Sequence, residues 1–323
     1  MMIKFATIGS NFIVHQFLEA AKQVEGLSYV ATYSRNLETG EALAGEYGAK
    51  KVYTSLDELA QDPEIDAVYV ASPNAFHKEQ SILMMKHGKH VLCEKPIASN
   101  GKEFAQMEQV AKENGVVLME AMKSVHCPGF FAVRDHLHKL GTIRNVTLNF
   151  LQYSSRYDKY KSGIVENAFK VELSNGALMD IGVYPLHMLL ALFGTPNDVQ
   201  SSGIKLSNGA DAAGSVLCTY EDFVATLIYS KIASFEGNQI QGEAATMIID
   251  KISDIKKVTI FYRDGETEEI EIKKKTTMIY EIEVFAQAIL GKTDGVDLLM
   301  TTRQQMAMLD EIRWQLNIVY PAD

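Results

Sequence analysis

Four stretches of this 323-residue chain carry side chains able to do chemistry. Glu94-Lys95-Pro96 follows a short apolar run and sets an ammonium group at its end. A lysine so placed can stabilise a developing alkoxide, or it is an ordinary solvated surface charge. Asp180-Ile181-Gly182-Val183-Tyr184-Pro185-Leu186-His187 gathers three titratable side chains at a helix start, which Pro185 and the preceding Asp180 both signal. Tyr184 and His187 stand three apart and so share a helix face, where either can exchange a proton with a substrate hydroxyl. The alternative is structural: Asp180 steadies the turn while the two rings pack with their polar tips satisfied. Gly9, followed by Ser10, Asn11, Phe12 and Ile13, ends one apolar run and opens a helix, where backbone amides can hold a dinucleotide pyrophosphate. A full G-x-G-x-x-G would need glycine at Asn11 and Val14, so the loop reads equally well as a plain strand-to-helix turn. Asn11 is expected to keep the turn by tolerating the left-handed conformation, and Val14 to push the helix slightly off the strand. Ser34-Arg35 stands where NAD-binding domains commonly carry an acid for the ribose hydroxyls. An arginine there favours a 2′-phosphate, hence NADP with NAD as the alternative, unless it is merely solvated.

Elements must position these groups, and the hydrophobic periodicity supplies them. Through roughly the first 120 residues, short apolar runs alternate with stretches of helical spacing, beginning with a strand at 3–8 and a helix from Phe12 and ending with a strand at 116–120. Such alternation predicts a doubly wound parallel sheet with helices on both faces. Ligands of these sheets sit beyond the carboxyl ends of the strands, so the loops at Gly9, Ser34, Ser72 and Cys93 are expected to converge. After about residue 124 the pattern changes to strand-like runs, including 144–153, 215–220, 223–229 and 258–262, separated by turn residues such as Tyr220-Glu221-Asp222-Phe223 and Arg263-Asp264-Gly265-Glu266. The expected division is therefore a dinucleotide-binding domain over 1–122 and a second domain over 123–323. The second holds a large, open-faced, mostly antiparallel sheet and a C-terminal helix able to pack back on the first. Lys123, His126 and Cys127 follow the last strand of the first domain, as candidate cleft residues or packed crossover residues.

Composition narrows the function classes. With 31 Lys and Arg against 41 Asp and Glu, the net charge of -10 disfavours a surface built to neutralise nucleic-acid phosphates. Cys93, Cys127 and Cys218 have no CxxC spacing and are too few for a disulfide framework, which suits a reducing cytoplasm. No leader segment is apparent at Met1-Met2-Ile3-Lys4, and no run of about 18 uninterrupted apolar residues exists, so a soluble protein is expected. The remaining histidines, His15, His87, His90, His136 and His138, lack carboxylate or cysteine partners at metal spacing, so no metal site is expected.

Several segments together resemble the Gfo/Idh/MocA oxidoreductase family: Ala71-Ser72-Pro73-Asn74 with His77, the run from Gly88 through Glu94-Lys95-Pro96, Met119-Glu120-Ala121, and Gly176 through Asp180 to Tyr184. Their order and spacing suit the family along the whole chain. The resemblance implies a Rossmann domain plus an α/β domain whose open sheet mediates a homodimer or homotetramer. It implies that Lys95 hydrogen-bonds the reacting oxygen and the nicotinamide ribose, that the Lys95-Pro96 bond is cis, and that Tyr184 stands where the family places a catalytic tyrosine or histidine, four residues after Asp180. Ser72, Pro73, Asn74, His77 and Glu94 join the glycine loop, Ser34 and Arg35 as expected cofactor contacts. The expected activity is NAD(P)-dependent hydride transfer at a carbinol or carbonyl carbon of a sugar, cyclitol or related diol. His187 is the second candidate for proton exchange and Asp180 orients the substrate. The eroded glycine loop keeps two other readings open: a dinucleotide-binding regulator with little activity, and a partner-binding protein that has kept the fold alone.

Overall fold

The structure, a computed structural model, describes residues 2–235, 237–293 and 296–323. The chain forms two compact units, Met1–Met122 with Met278–Met300, and Lys123–Thr277 with Thr301–Asp323. The expected division at residue 122 is thus interrupted by one late segment that belongs with the first unit.

In the first unit, β1 (Ile3–Ile8), β2 (Leu27–Tyr33), β3 (Lys51–Tyr53), β4 (Ala67–Val70), β5 (His90–Glu94) and β6 (Leu118–Ala121) form one sheet in the order β3-β2-β1-β4-β5-β6. Every neighbouring pair is parallel. The connections are α1 (Phe12–Ala21), α2 (Leu37–Tyr47), α3 (Leu56–Gln61), α4 (His77–Lys86) and α5 (Gly101–Asn114). Local chemistry sets where several of them begin: the side chains of Asn11, Asn36, Ser55 and Asn100 each accept from a first-turn backbone amide. Each such cap is worth about 1 kcal/mol against alanine. Strands buried on both faces read as continuous apolar runs, and β4, Ala-Val-Tyr-Val, is buried at every position. The core joins Ile3, Phe5, Val14, Phe17, Tyr69 and Leu92, with Phe17 stacked on Tyr69 at 3.8 Å between ring centroids. Met278, Ile279, Ile282, Phe285 and Ala286 belong to the same core. Their spacing of three and four residues makes one helical face, and this is the reason the late segment counts with the first unit.

The second unit is built on eight strands: β7 (Ile143–Leu151), β8 (Asp198–Lys205), β9 (Asp211–Thr219), β10 (Val224–Ser230), β11 (Asn238–Gly242), β12 (Ala245–Ile249), β13 (Lys257–Tyr262) and β14 (Thr267–Glu271). Their order is β14-β13-β12-β11-β7-β10-β9-β8, antiparallel except for β7 with β10. Along β10, Ala225, Leu227 and Tyr229 are buried while Val224 is exposed, the alternation of a sheet covered on one face. Its helices are α6 (Pro128–His136), α7 (Ser155–Lys161) and α8 (Val183–Phe193); later in the chain α9 (Thr277–Ile289) carries the late segment of the first unit, and α10 (Met300–Leu316) belongs to the second.

β11 was not among the expected strands. Its residues Asn-Gln-Ile-Gln-Gly are poor strand formers, and pairing on both sides with β7 and β12 around the buried Ile240 overrides that preference. Among the described residues, the segment Val171–Phe193 is long and apolar enough to cross a membrane by length and composition. However, 78% of its most apolar window is buried inside the fold, as in a core helix.

Candidate active site

The register of the parallel sheet brings the chemistry-bearing loops to one edge. Ile8 is paired with both Tyr33 and Val70, and Val70 with Cys93, so β2, β1, β4 and β5 end side by side. Neighbouring strands lie about 4.8 Å apart, and the loops after them form one row. The strand order reverses between β1 and β4, which is where a ligand crevice of this architecture opens.

Gly9 stands at that reversal with φ of +114°, a conformation that side-chain-bearing residues rarely adopt. A Cβ there would lie 2.8 Å from the Ala71 carbonyl oxygen, so glycine is demanded by backbone angle and by space. The other two fingerprint positions are filled differently from expectation. Asn11 has extended backbone angles (φ -84°, ψ 175°) and not the left-handed conformation. It holds the turn through its side chain, with Oδ1 accepting from Ile13 N at 3.0 Å and Nδ2 donating to Ala71 O at 3.1 Å. Val14 is fully buried in the core cluster, where its side chain packs. Ser10 and Ile13 are half-buried and Phe12 is 64% exposed at the helix entrance.

After β2, Ser34 is buried and its Oγ accepts from Asn36 N at 3.3 Å, which tightens the turn into α2. Arg35 is exposed and has no side-chain partner among the described residues. After β4, the Ser72 Oγ is buried without a hydrogen-bond partner beside the half-buried Pro73 and the buried Asn74. A glycine cradle that a Cβ would close, an orphaned buried hydroxyl and an unengaged guanidinium along one edge fit a dinucleotide carrying phosphate.

The loop after β5 is tied down at three points. The Glu94 carboxylate accepts from Tyr69 Oη at 2.5 Å and from Lys95 N at 3.3 Å, and Ile97 N donates to the buried Glu120 Oε1 at 3.0 Å. The third tie is His77, whose Nδ1 lies 2.9 Å from Pro96 O and Nε2 2.8 Å from Ser72 O. Expected as a cofactor contact, His77 is instead fully buried between the loops after β4 and β5. A neutral ring can donate to only one of its two carbonyls. Burial holds its pKa below the ordinary value, and the two carbonyls oppose that shift. Burial raises the Tyr69 hydroxyl well above its usual range, and the Glu94 carboxylate adds to this. Lys95 itself is half-buried and the Lys95-Pro96 bond is cis. Tyr69 was not read as a site residue, because an interior tyrosine carries no local pattern, and Glu120 entered only within Met119-Glu120-Ala121, with no role of its own.

In the second unit, Leu178–Gly182 forms a π-helical turn that runs into α8, a geometry common at functional positions. A Cβ on Gly182 would lie 2.9 Å from the Tyr229 ring, so glycine lets this turn press onto β10. Asp180 sits within the turn, half-buried, with Oδ2 accepting from Lys231 Nζ at 2.5 Å. Tyr184 lies in the first turn of α8, half-buried, edge-on to Phe150 at 5.3 Å. His187 differs from its expected place on a shared open face: it is 3% exposed, and Nδ1 lies 2.7 Å from Gln305 Oε1. Burial lowers its pKa to about 4, with nearby His126 adding to the shift, so the ring is neutral at physiological pH. Tyr184 is therefore the better placed proton-exchange group of the two. Lys231 was missed in the sequence because it stands 51 residues from its partner. Among the described residues, no group of three or more His, Cys, Asp or Glu is arranged to hold a metal ion.

Residues 3–122 match the family model described as the oxidoreductase family with an NAD-binding Rossmann fold, and residues 136–248 match the GFO/IDH/MocA C-terminal domain. The scyllo-inositol 2-dehydrogenase (NADP(+)) IolU of Bacillus subtilis is 48% identical over 329 residues, covering 100% of this chain and 99% of that protein. The trans-1,2-dihydrobenzene-1,2-diol dehydrogenase of Xenopus tropicalis is 27% identical, covering 99% of this chain and 100% of that one. Among solved structures, a 3-ketoreductase from Actinomadura kijaniata in complex with NADP and TDP-benzene superposes with a TM-score of 0.87 at 22% identity. Each chain is covered to 99%, a likeness of fold.

Proposed function

The chain belongs to the GFO/IDH/MocA family of NAD(P)-dependent oxidoreductases, and from that premise we propose that it oxidises a ring hydroxyl of a cyclitol such as scyllo-inositol, with NADP+ preferred. The observation that carries this reading is the row of strand ends at Ile8, Tyr33, Val70 and Cys93, which sets the Gly9 cradle, Arg35, Ser72 and the Lys95 loop along one edge. The nicotinamide supplies the acceptor for the carbinol hydride, or the donor in the reverse direction.

The rest of the chemistry falls to the protein. In this proposal the Gly9 to Ile13 loop binds the pyrophosphate at the start of α1, and Arg35 takes the 2′-phosphate by charge-assisted hydrogen bonds. Lys95 donates to the reacting oxygen and stabilises its alkoxide character as the hydride leaves. Tyr184 takes up the hydroxyl proton as it passes its own phenol proton on to solvent, and Asp180 accepts a hydrogen bond from a substrate hydroxyl and so fixes the ring's orientation. Glu94, Glu120 and His77 hold the Lys95 loop in place without touching substrate. Association into a homodimer or homotetramer through the open sheet face, and residence in the cytoplasm, belong to the same proposal; sedimentation and cell fractionation read them.

The test is a turnover assay with NADP+ and NAD+ across inositols, aldoses and vicinal diols. It is expected to show reduced nicotinamide formed from at least one cyclitol, with higher kcat/KM for NADP+. Saturable NADPH binding without turnover on any of these substrates contradicts the proposal and favours a dinucleotide-binding regulator.

A further inference from the structure

Lys231 follows the last residue of β10, and its backbone is pinned on both sides: its N donates to Ala212 O at 2.8 Å, and its O accepts from Ser154 N at 2.9 Å. The side chain is 4% exposed. Its Nζ donates to Asp180 Oδ2 at 2.5 Å and to Ala168 O at 3.3 Å, and it lies 5.1 Å from the centre of the Phe169 ring. Asp180, by contrast, keeps 31% of its side chain exposed. The pair is therefore one-sided, a buried cation beneath a carboxylate that still meets solvent. Burying an ammonium is costly unless it is paired, and a pair of apolar side chains in place of such an ion pair is often no worse for stability.

We propose that Lys231 is a positioning residue for the reaction, holding the Asp180 carboxylate ionised and in one orientation four residues before Tyr184. This inference rests on the function proposed above. The π-helical turn makes the need plain. Asp180 stands where the helical ladder changes pitch, and the tether from β10 holds its side chain across that irregularity. The aromatic face of Phe169 and the carbonyl of Ala168 also hold the ammonium in place. Other titratable groups packed nearby are Asp211 on β9, which feels the Lys231 charge, with Tyr229 on β10 and Tyr320 beside Asp211.

The experiment compares wild type, Lys231→Met, Lys231→Arg, Asp180→Asn and the Lys231→Met/Asp180→Asn double variant, each with its folding checked by circular dichroism. NADP+ and scyllo-inositol are the substrates. A wild type inactive on the whole polyol panel overturns the function reading, and with it the ground for this inference. With an active wild type, Lys231→Met is expected to lower kcat by about tenfold or more. NADPH affinity by fluorescence stays within about twofold of wild type. The acidic limb of kcat/KM against pH moves to higher pH, because Asp180 has lost the neighbouring positive charge. Lys231→Arg keeps the charge, so it leaves that limb near its wild-type position. The double variant is no slower than Asp180→Asn alone, as expected of residues acting as a unit. An unchanged kcat and pH limb in Lys231→Met overturns the proposal, and so do losses that multiply in the double variant. If Lys231→Met does not fold, Lys231→Arg decides: a folded Arg variant whose acidic limb moves up overturns it, and an unmoved limb supports it.

Discussion

At the scale of single residues, the site depends on side chains that the fold leaves exposed and on those it consumes. Arg35 is exposed and unengaged, while the Ser34 hydroxyl beside it is spent on the turn into α2. A guanidinium bound to the 2′-phosphate is worth on the order of 1.5–3 kcal/mol. Arg35→Asp is therefore expected to weaken NADPH binding by about tenfold to a hundredfold while improving NADH binding. Fluorescence titration with each nucleotide reads both changes, and a ratio of affinities equal to wild type would show that Arg35 does not select the cofactor. Much at this scale was legible beforehand. Lys95, Asp180 and Tyr184 could be named as candidates because strand ends and helix starts have local signals, and the roles given to them came with the family resemblance. What escaped was every role created by distance along the chain: Lys231 under Asp180, Glu120 at Ile97, Tyr69 on Glu94. His187 was misjudged for a related reason, since helical spacing says which residues share a face but not whether that face is covered.

At the scale of elements, the decisive unit is the π-helical turn Leu178–Gly182. Its first amide, Leu178 N, donates to Asp211 Oδ2 at 2.6 Å, so a strand carboxylate anchors the turn that carries Asp180. Asp211 is fully buried, and burial raises its pKa to about 6 against the opposing pull of the backbone amides. His187, buried in α8, is lowered to about 4. The two act in opposite senses. As pH rises from the ordinary carboxylate range to about 6, the native state gives up a proton from Asp211 later than the unfolded chain does, so this group makes stability fall. Over the interval from about 4 to the ordinary histidine value the unfolded chain holds more protons at His187, so that group makes stability rise. Asp211→Asn keeps an acceptor for Leu178 N and removes only the first contribution, on the order of 2–3 kcal/mol. Thermal melts between acid and neutral pH are expected to show a steeper increase of Tm with pH in the variant. A parallel or shallower curve would mean that Asp211 is ionised without cost. The alternation of β1 to β6 with their helices was readable as periodicity, and so were most strands of the second sheet. β11 and the π-helical turn were not, because the first relies on its neighbours against its own composition and the second interrupts an otherwise ordinary helical pattern.

At the scale of the whole molecule, the candidate residues fall in both units: the first carries the glycine cradle, Arg35 and Lys95, and the second carries Asp180 and Tyr184. The family match spans both, and the imperfect fingerprint at Asn11 and Val14 lies within it. Asn11 replaces a glycine's backbone freedom with a cap, and Val14 replaces close packing with core burial. The central claim is that Lys95 stabilises charge on the reacting oxygen and is dispensable for holding the nucleotide. The most direct measurement sets Lys95→Ala beside wild type in two readings, NADPH affinity by fluorescence and turnover of the cyclitol that wild type uses. Affinity is expected to remain within a few-fold and kcat to fall by about 100-fold or more. A Lys95→Ala protein that binds NADPH and turns over at close to the wild-type rate would contradict the account.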